Sequence, residues 1–328
     1  MWRSVKRIWA VTLLTSTDGL RQPAFFMLFL ASTALIALSP NFAFFHLGEE
    51  SKMVVDLGLS TILTAASLLA VLTASTTVTD EIEGRTTLTM LSKPLRRGEF
   101  LAGKYFGVVI TSCALVTLLA IVLIATLRSQ KFDALQDPWF TFGITLSLLA
   151  GFMVFGIMLV KWLITGCGLG LVPAFWLAYM GASAFLLIFL SVKSPPGAAW
   201  EWRVLLGPVF IGLHTAVIAA MAIALAAHFT LIQAAIGTLA FFICGHTSGA
   251  LIALFENAQH SMSVSGNVLR TLLPDLDQFN ITDALATAYL DKPVDIPLDV
   301  VAGSALYALL YVTALLTFST VLFSKREL

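Results

Sequence analysis

The chain has 328 residues, of which 58% are hydrophobic and 12% are charged, and its mean hydropathy is +0.91. An average soluble domain carries about 25% charged residues, so this composition excludes a single water-soluble globule and predicts an all-α polytopic membrane protein. The 19 basic and 19 acidic residues balance to zero net charge, which argues against nucleic acid as a partner.

The first segment, residues 1–22, is basic and amphipathic. Its apolar residues recur at helical spacing, with three basic residues beside them. The apolar residues are Trp2, Val5, Ile8, Trp9 and Leu13, and the basic ones are Arg3, Lys6 and Arg7. This pattern is typical of a helix that lies in the membrane interface and contacts lipid. The alternative interpretation is a basic tail that only fixes the topology.

Eight apolar stretches follow, in the part of the chain that we interpret as a transmembrane domain, residues 23–328. A helix needs about 20 residues to cross a hydrocarbon core about 30 Å thick. The stretches cover residues 23–39, 57–78, 105–127, 140–160, 163–192, 204–227, 229–255 and 300–323. The fifth stretch contains Gly166, Gly168, Gly170 and Pro173, which leaves a broken or re-entrant helix open there.

The distribution of basic residues predicts the orientation. With the N-terminus inside, the inner segments hold twelve of the nineteen Lys and Arg residues, and thirteen of the nineteen acidic residues lie outside. This asymmetry follows the positive-inside rule and predicts that both termini are cytoplasmic. The predicted location is the inner membrane of a bacterial cell.

Ionisable groups are rare in the predicted spans, and His214 and His246 are the deepest of them. We interpret these histidines as isolated packing residues, with a proton relay as the alternative. Three glycine pairs at four-residue spacing predict close helix packing. These pairs are Gly103 and Gly107, Gly166 and Gly170, and Gly245 and Gly249.

Residues 98–104 read GEFLAGK and fit part of a phosphate-binding loop. The motif lacks the Mg²⁺-binding hydroxyl, because Tyr105 comes next. The chain is therefore not predicted to be an enzyme or to hold a cofactor or metal itself. Cys113, Cys167 and Cys244 lie in apolar runs, where packing is the expected role. The aspartates of the outer loop, residues 256–299, are interpreted as a solvated acidic face, and this loop could contact an extracytoplasmic partner.

The connection between the second and third predicted spans, residues 79–104, has the most specific sequence. Asp80, Glu81 and Glu83 are predicted to begin a helix, where carboxylates favour the positive end of the helix dipole. Pro94 is predicted to end that helix, and Arg96 and Arg97 to open the next. The candidate site residues in this connection are Glu81, Glu83, Gly84, Thr87, Leu88, Leu91, Pro94, Arg96, Arg97, Glu99, Gly103 and Lys104.

This connection resembles the cytoplasmic loop of the permease subunits of ABC type-2 exporters. The shared features are an acidic pair, a Gly-Thr step, a Leu-Ser-x-Pro turn and a Gly-Lys entry into the third span; here Arg85 separates the glycine from the threonines. Arg21-Gln22-Pro23 and the basic ending Lys325-Arg326 are also similar to that family. The resemblance implies a core of six transmembrane helices, to which residues 140–192 would add an inserted hairpin.

For function, the resemblance implies that a separate cytoplasmic ATPase binds ATP and Mg²⁺ and drives export through this loop. It also implies a second permease copy or a related permease, and a substrate that is lipid-like, amphipathic or of another kind. The alternatives are an ion-coupled carrier or channel, and a non-transporting membrane anchor or assembly factor.

Overall fold

The computed structural model describes residues 2–43, 50–83, 97–131, 204–249, 274–282, 285 and 297–324. Over these residues the chain folds into seven α-helices and one short 3-10 helix. The α-helices are α1 (Trp2–Arg21), α2 (Pro23–Ala43), α3 (Glu50–Glu83), α4 (Arg97–Lys131), α5 (Leu206–Ala226), α6 (Leu231–His246) and α7 (Leu298–Ser324). A short 3-10 helix, Asp277–Phe279, precedes α7.

Five of these helices, α2, α3, α4, α5 and α7, are long and apolar enough to cross a membrane. The chain is therefore a multi-pass helical membrane protein, as its composition predicts. α6 is also apolar, but its 16 residues are fewer than a crossing requires. The predicted spans 140–160 and 163–192 lie outside the described residues, so the total of eight spans stays a prediction.

The helices begin and finish at two opposite ends of the bundle, the loop end and the far end. At the loop end, which we define by residues 77–83, 97–104 and 320, α3 finishes, α4 begins and α7 finishes. A Cβ atom on Gly98 would lie 3.2 Å from Thr320 Cγ2. At the opposite end, the far end, a Cβ atom on Gly207 of α5 would lie 2.7 Å from Leu59 of α3, and Gly58 contacts Leu123 of α4. α3 and α4 therefore run antiparallel.

α3 and α4 are longer than the membrane requires. They contain 34 and 35 residues, which corresponds to about 50 Å of helix against a hydrocarbon core of about 30 Å. α2 has 21 residues and is packed between them in one apolar core with Phe25, Ile36, Leu69 and Leu119. The additional turns of α3 and α4 extend beyond the start of α2 at the loop end.

One prediction about this region is wrong. Asp80, Glu81 and Glu83 do not begin a helix; they are the last residues of α3. Neither glycine nor proline occurs in residues 59–83, so the helix continues past the apolar stretch that ends at residue 78. These carboxylates lie at the negative end of the helix dipole, which is unfavourable for them. The prediction that a helix opens at Arg97 is confirmed, because α4 begins there.

α1 runs beside the first half of α4 in the same direction. A Cβ atom on Gly103 would lie 2.6 Å from Val11 Cβ, and one on Gly107 would lie 2.5 Å from Thr15 Cβ. The contacts advance by four residues along both helices, so the two axes are nearly parallel. The opposite side of α1 is apolar and exposed, with Val5, Trp9 and Leu13. The position of α1 in the membrane interface stays a prediction.

α5 lies at the centre of the bundle. It packs against α3, α4, α6 and α7, and it forms an apolar core with Phe100, Phe210, Leu276 and Phe279. α7 lies at the periphery, where Leu306, Leu309, Leu310 and Phe318 are exposed, as expected for a helix that faces lipid or another subunit.

Candidate functional site

The predicted site lies at the loop end, and the structure describes part of it. Glu81 and Glu83 in α3 and Arg97 in α4 are described by their backbone. Glu99, Gly103 and Lys104 are described with all their atoms. Outside the described residues lie Gly84, Thr87, Leu88, Leu91, Pro94 and Arg96, whose roles stay predictions.

Lys104 joins the two helices that flank the predicted loop. Its side chain is 2% exposed, and its Nζ donates a hydrogen bond to the backbone carbonyl oxygen of Thr77 in α3, over 3.2 Å. The ammonium also lies 5.7 Å from the centre of the Phe100 ring, within the range of a cation–π interaction. A buried ammonium requires such polar contacts. Separating α3 from α4 here would therefore remove contacts that this charge needs.

Glu99 connects the same end of α4 to α1. Its Oε2 lies 3.6 Å from the Arg7 guanidinium, and Glu99 is buried, whereas Arg7 is partly exposed. Glu99 also occupies the first turn of α4, where a carboxylate stabilises the helix through its dipole. In the sequence, Arg7 is one of the basic residues of an amphipathic helix. No sequence pattern indicates that Glu99 is its partner.

Gly103 is one of two glycines at which α1 and α4 approach closely. The hydroxyl of Thr12 lies 3.2 Å from the Gly103 carbonyl oxygen, and the hydroxyl of Thr111 lies 3.4 Å from the Ser16 carbonyl oxygen. Small residues and hydroxyl groups therefore line both sides of this contact. Gly103 and Lys104 are buried in helix packing, so a partner docking at the loop end would reach the loop before it reached them.

The GEFLAGK segment does not form a phosphate-binding loop. Residues 98–104 lie entirely within α4, and Lys104 bonds to the carbonyl of Thr77. A phosphate-binding loop instead curls its backbone N–H groups around the anion before the helix begins.

A second polar cluster, the histidine cluster of His214, His246 and Asp277, lies towards the far end. His246 Nδ1 is 3.1 Å from Asp277 Oδ1, and the ring centres of His214 and His246 are 5.2 Å apart. The interpretation of the two histidines as isolated residues is therefore wrong. Sequence periodicity carried no signal for this cluster, because its members come from α5, α6 and the 3-10 helix.

Comparison with known proteins adds no identification. No protein-family model matches the chain, and no curated protein matches it. Within the part of the chain that the structure describes, no group of three or more His, Cys, Asp or Glu side chains is arranged to hold a metal ion.

Proposed function

We propose that this chain is the membrane-spanning permease subunit of an ABC type-2 exporter. In this proposal it moves a lipid-like or amphipathic substrate across the membrane, and a separate cytoplasmic ATPase supplies the energy. The proposal is supported by the multi-pass helical fold and by the similarity of residues 80–107 to the loop of that family. ATP and Mg²⁺ would be bound by the ATPase, and a second permease would complete the pathway.

The Lys104–Thr77 hydrogen bond is the observation that carries this proposal. It ties α3 to α4 directly behind residues 84–96, which are predicted to dock in a cleft of the ATPase. Because the extensions of both helices are joined there, displacement of the loop would move α3 and α4 together. α1 would follow α4 through the Gly103 contact and the ion pair between Arg7 and Glu99.

This arrangement supports a mechanical mechanism. Nucleotide binding would bring two ATPase domains together, and each domain would push on one docked loop. The resulting displacement would favour one conformation of the spans over another, provided that the ATPase contacts differ between the two conformations. The permease would make no covalent change to its substrate. The exposed apolar surface of α7 is compatible with a lipid-like substrate.

The docking step is tested with Leu91→Asp, with Leu91→Met as the matched control. Both variants and the unmodified chain are co-expressed with each candidate ABC ATPase of the source organism and purified through a tag on the permease. We expect Leu91→Asp to lose most of the bound ATPase, since a charge would enter an apolar contact, and Leu91→Met to retain it. A complex and transport that both survive Leu91→Asp would refute the proposal.

A second candidate, an ion-coupled carrier, is favoured by the histidine cluster, because titratable groups in a membrane protein commonly mark an ion pathway. Reconstitution of the chain without an ATPase distinguishes the two functions. Transport driven by an ion gradient in such vesicles would favour the carrier, and transport that requires the ATPase and its nucleotide would favour the exporter.

A further inference from the structure

We infer that the histidine cluster is a proton-binding site that opens towards the far end of the bundle. One proton would be held between the imidazole rings of His214 and His246, with the Asp277 carboxylate balancing its charge. This inference does not depend on the exporter proposal, since the site is defined by its own geometry and could operate with or without an ATPase.

The unsatisfied ring nitrogens of His214 are the first observation. His214 is 1% exposed, and within the described residues neither of its ring nitrogens has a hydrogen-bond partner. A neutral imidazole carries one donor and one acceptor, and burying both without partners carries the full desolvation penalty. Phe242 and Phe279 lie edge-on to the ring, with ring centres 5.7 Å and 6.2 Å from that of His214. The His214 ring thus combines apolar surroundings with unmet hydrogen-bonding capacity.

The orientation of His246 is the second observation. Its Nδ1 faces the Asp277 carboxylate, and because a carboxylate accepts, Nδ1 carries the hydrogen in the neutral ring. The lone pair of neutral His246 is then on Nε2, which is buried and has no partner among the described residues. The nearest imidazole is His214. A carboxylate on one side of a histidine thus leaves a basic nitrogen on the other.

A shared proton gives one nitrogen of each ring a partner. The ring centres are 5.2 Å apart, and a bond between the rings needs about 3 Å between nitrogens. Rotation of the His214 ring would bring one of its nitrogens towards His246 Nε2 and would keep the contact between His246 and Asp277. A proton from the aqueous medium would add to the Nε2 lone pair of His246. The new Nε2–H group would then donate a hydrogen bond to a ring nitrogen of His214. No other bond breaks in this step, and the site gains one positive charge beside the carboxylate.

The access route runs through Asp277. Its side chain is 52% exposed and that of His246 is 21% exposed, whereas His214 is buried. Exposure therefore decreases along the order in which a proton would pass. The segment that carries Asp277 is itself held on α6, because Leu276 packs on Gly245 and its N–H donates to the Gly245 carbonyl oxygen over 3.3 Å.

Other titratable groups surround α5. α7 contributes Tyr307, whose hydroxyl accepts a hydrogen bond from the Asp275 N–H over 3.0 Å. α4 contributes Cys113, whose Sγ would lie 4.0 Å from a Cβ atom on Gly212. On α3, the titratable residues lie at its two ends. The elements packed against α5 carry the titratable groups Asp275, Tyr307, Tyr311, Cys113, Tyr105 and Cys244, and those on α3 are Glu50, Lys52, Asp56, Asp80, Glu81 and Glu83.

The test is nuclear magnetic resonance of the full chain in lipid nanodiscs with ¹⁵N-labelled histidine, titrated between about pH 5 and pH 8, where histidine changes charge. We expect the ring nitrogens of His214 and His246 to shift over one common pH interval, and a ¹⁵N–¹⁵N coupling to appear between the rings on the acid side. His246→Gln should abolish the shift of His214. His228→Gln, at the turn between α5 and α6, should leave both signals unchanged.

Asp277→Asn provides a second test if His246→Gln fails to fold. It should change the pH at which the signals of both rings shift, and by the same amount for each ring, because it removes the charge that balances the shared proton. The inference is overturned if His214 stays neutral over the whole range in a folded protein, or if its titration is unaffected by both variants. Ring signals that respond to added Zn²⁺ and remain constant with pH would overturn it as well, in favour of a metal site.

Discussion

Lys104 in α4 donates a hydrogen bond to the carbonyl oxygen of Thr77 in α3, over 3.2 Å, and is 2% exposed. The pair closes the loop end of the hairpin that α3 and α4 form around residues 84–96. Because the charge is almost fully removed from water, this contact matters more than an ion pair on the surface would.

We expect Lys104→Met to destabilise the protein by about 1.5–3 kcal/mol, the range for hydrogen bonds to charged groups. The methionine preserves much of the apolar side chain and removes the ammonium. The carbonyl oxygen of Thr77 therefore loses the hydrogen bond from Lys104. Thermal unfolding in nanodiscs, followed by tryptophan fluorescence, measures the change. Lys6→Met is the matched control, because Lys6 is exposed on α1. Equal effects of the two substitutions would contradict a bridging role for Lys104.

The contact between α1 and α4 makes a prediction about Gly103. A Cβ atom there would lie 2.6 Å from Val11 Cβ and 3.1 Å from the Ile8 carbonyl oxygen, which belongs to the backbone and cannot rotate away. Gly103→Ala should therefore separate the helices and destabilise the protein by about 1–3 kcal/mol, as overpacking typically does. The unfolding temperature should fall, and a disulfide engineered between the two helices should form more slowly.

Gly303→Ala is the control for that substitution. Gly303 lies in α7 with no atom within 4 Å of a Cβ atom, among the residues that the structure describes. Alanine should be neutral or slightly stabilising there, because it is a better helix former by about 1 kcal/mol. A similar loss of stability at both positions would indicate that the membrane environment, rather than contact with α1, decides the effect.

Much of the fold could be predicted from the sequence. Apolar length alone locates α2, α3, α4, α5 and α7, because a helix in lipid must satisfy its own backbone and leaves a continuous apolar run. The spacing of Gly103 and Gly107 also predicts a close helix contact. Spacing does not identify the partner, however, and the pattern of α1 indicated a helix in the membrane interface without indicating α4 as its neighbour.

The polar contacts were harder to predict. Lys104 is predicted to be a positive charge at the start of a span, and its bond to Thr77 depends on how α3 and α4 pack against each other. Similarly, the four-residue spacing of Gly245 and Gly249 suggested one packing pair. Gly245 packs against Leu276, whereas a Cβ atom on Gly249 would meet nothing within 4 Å among the described residues. Tertiary contacts between distant segments leave no periodic signal.

The ion pair between Arg7 and Glu99 predicts rescue by charge exchange. Glu99→Arg should destabilise the protein, since two positive groups would then lie at the 3.6 Å contact. The double variant Arg7→Glu with Glu99→Arg should recover part of the loss, by about 1 kcal/mol, which is typical of coupling between contacting residues. Thermal unfolding measures each step. Lys6→Glu combined with Glu99→Arg is the control and should give less recovery, because Lys6 is exposed on α1.

The junction between α6 and the 3-10 helix provides the last prediction. A Cβ atom on Gly245 would lie 2.6 Å from Leu276 Cγ, so Gly245→Ala should push the segment 274–282 away from α6. The separation of His246 from Asp277 should then increase, and we expect a loss of about 1–3 kcal/mol in the free energy of unfolding.

Leu276→Ala removes the clashing atoms and by itself leaves a cavity, since Leu276 is fully buried; such a change destabilises by about 2–5 kcal/mol. In the double variant, of the three atoms nearest to the new methyl group only Leu276 Cβ remains, at 3.4 Å, which is ordinary contact. The two losses should therefore not add, with a coupling of at least about 1 kcal/mol. Thermal unfolding of the four proteins in this cycle measures it. Gly249→Ala should show no such coupling with Leu276→Ala, and strictly additive losses for Gly245→Ala would mean that Leu276 does not hold the segment on α6.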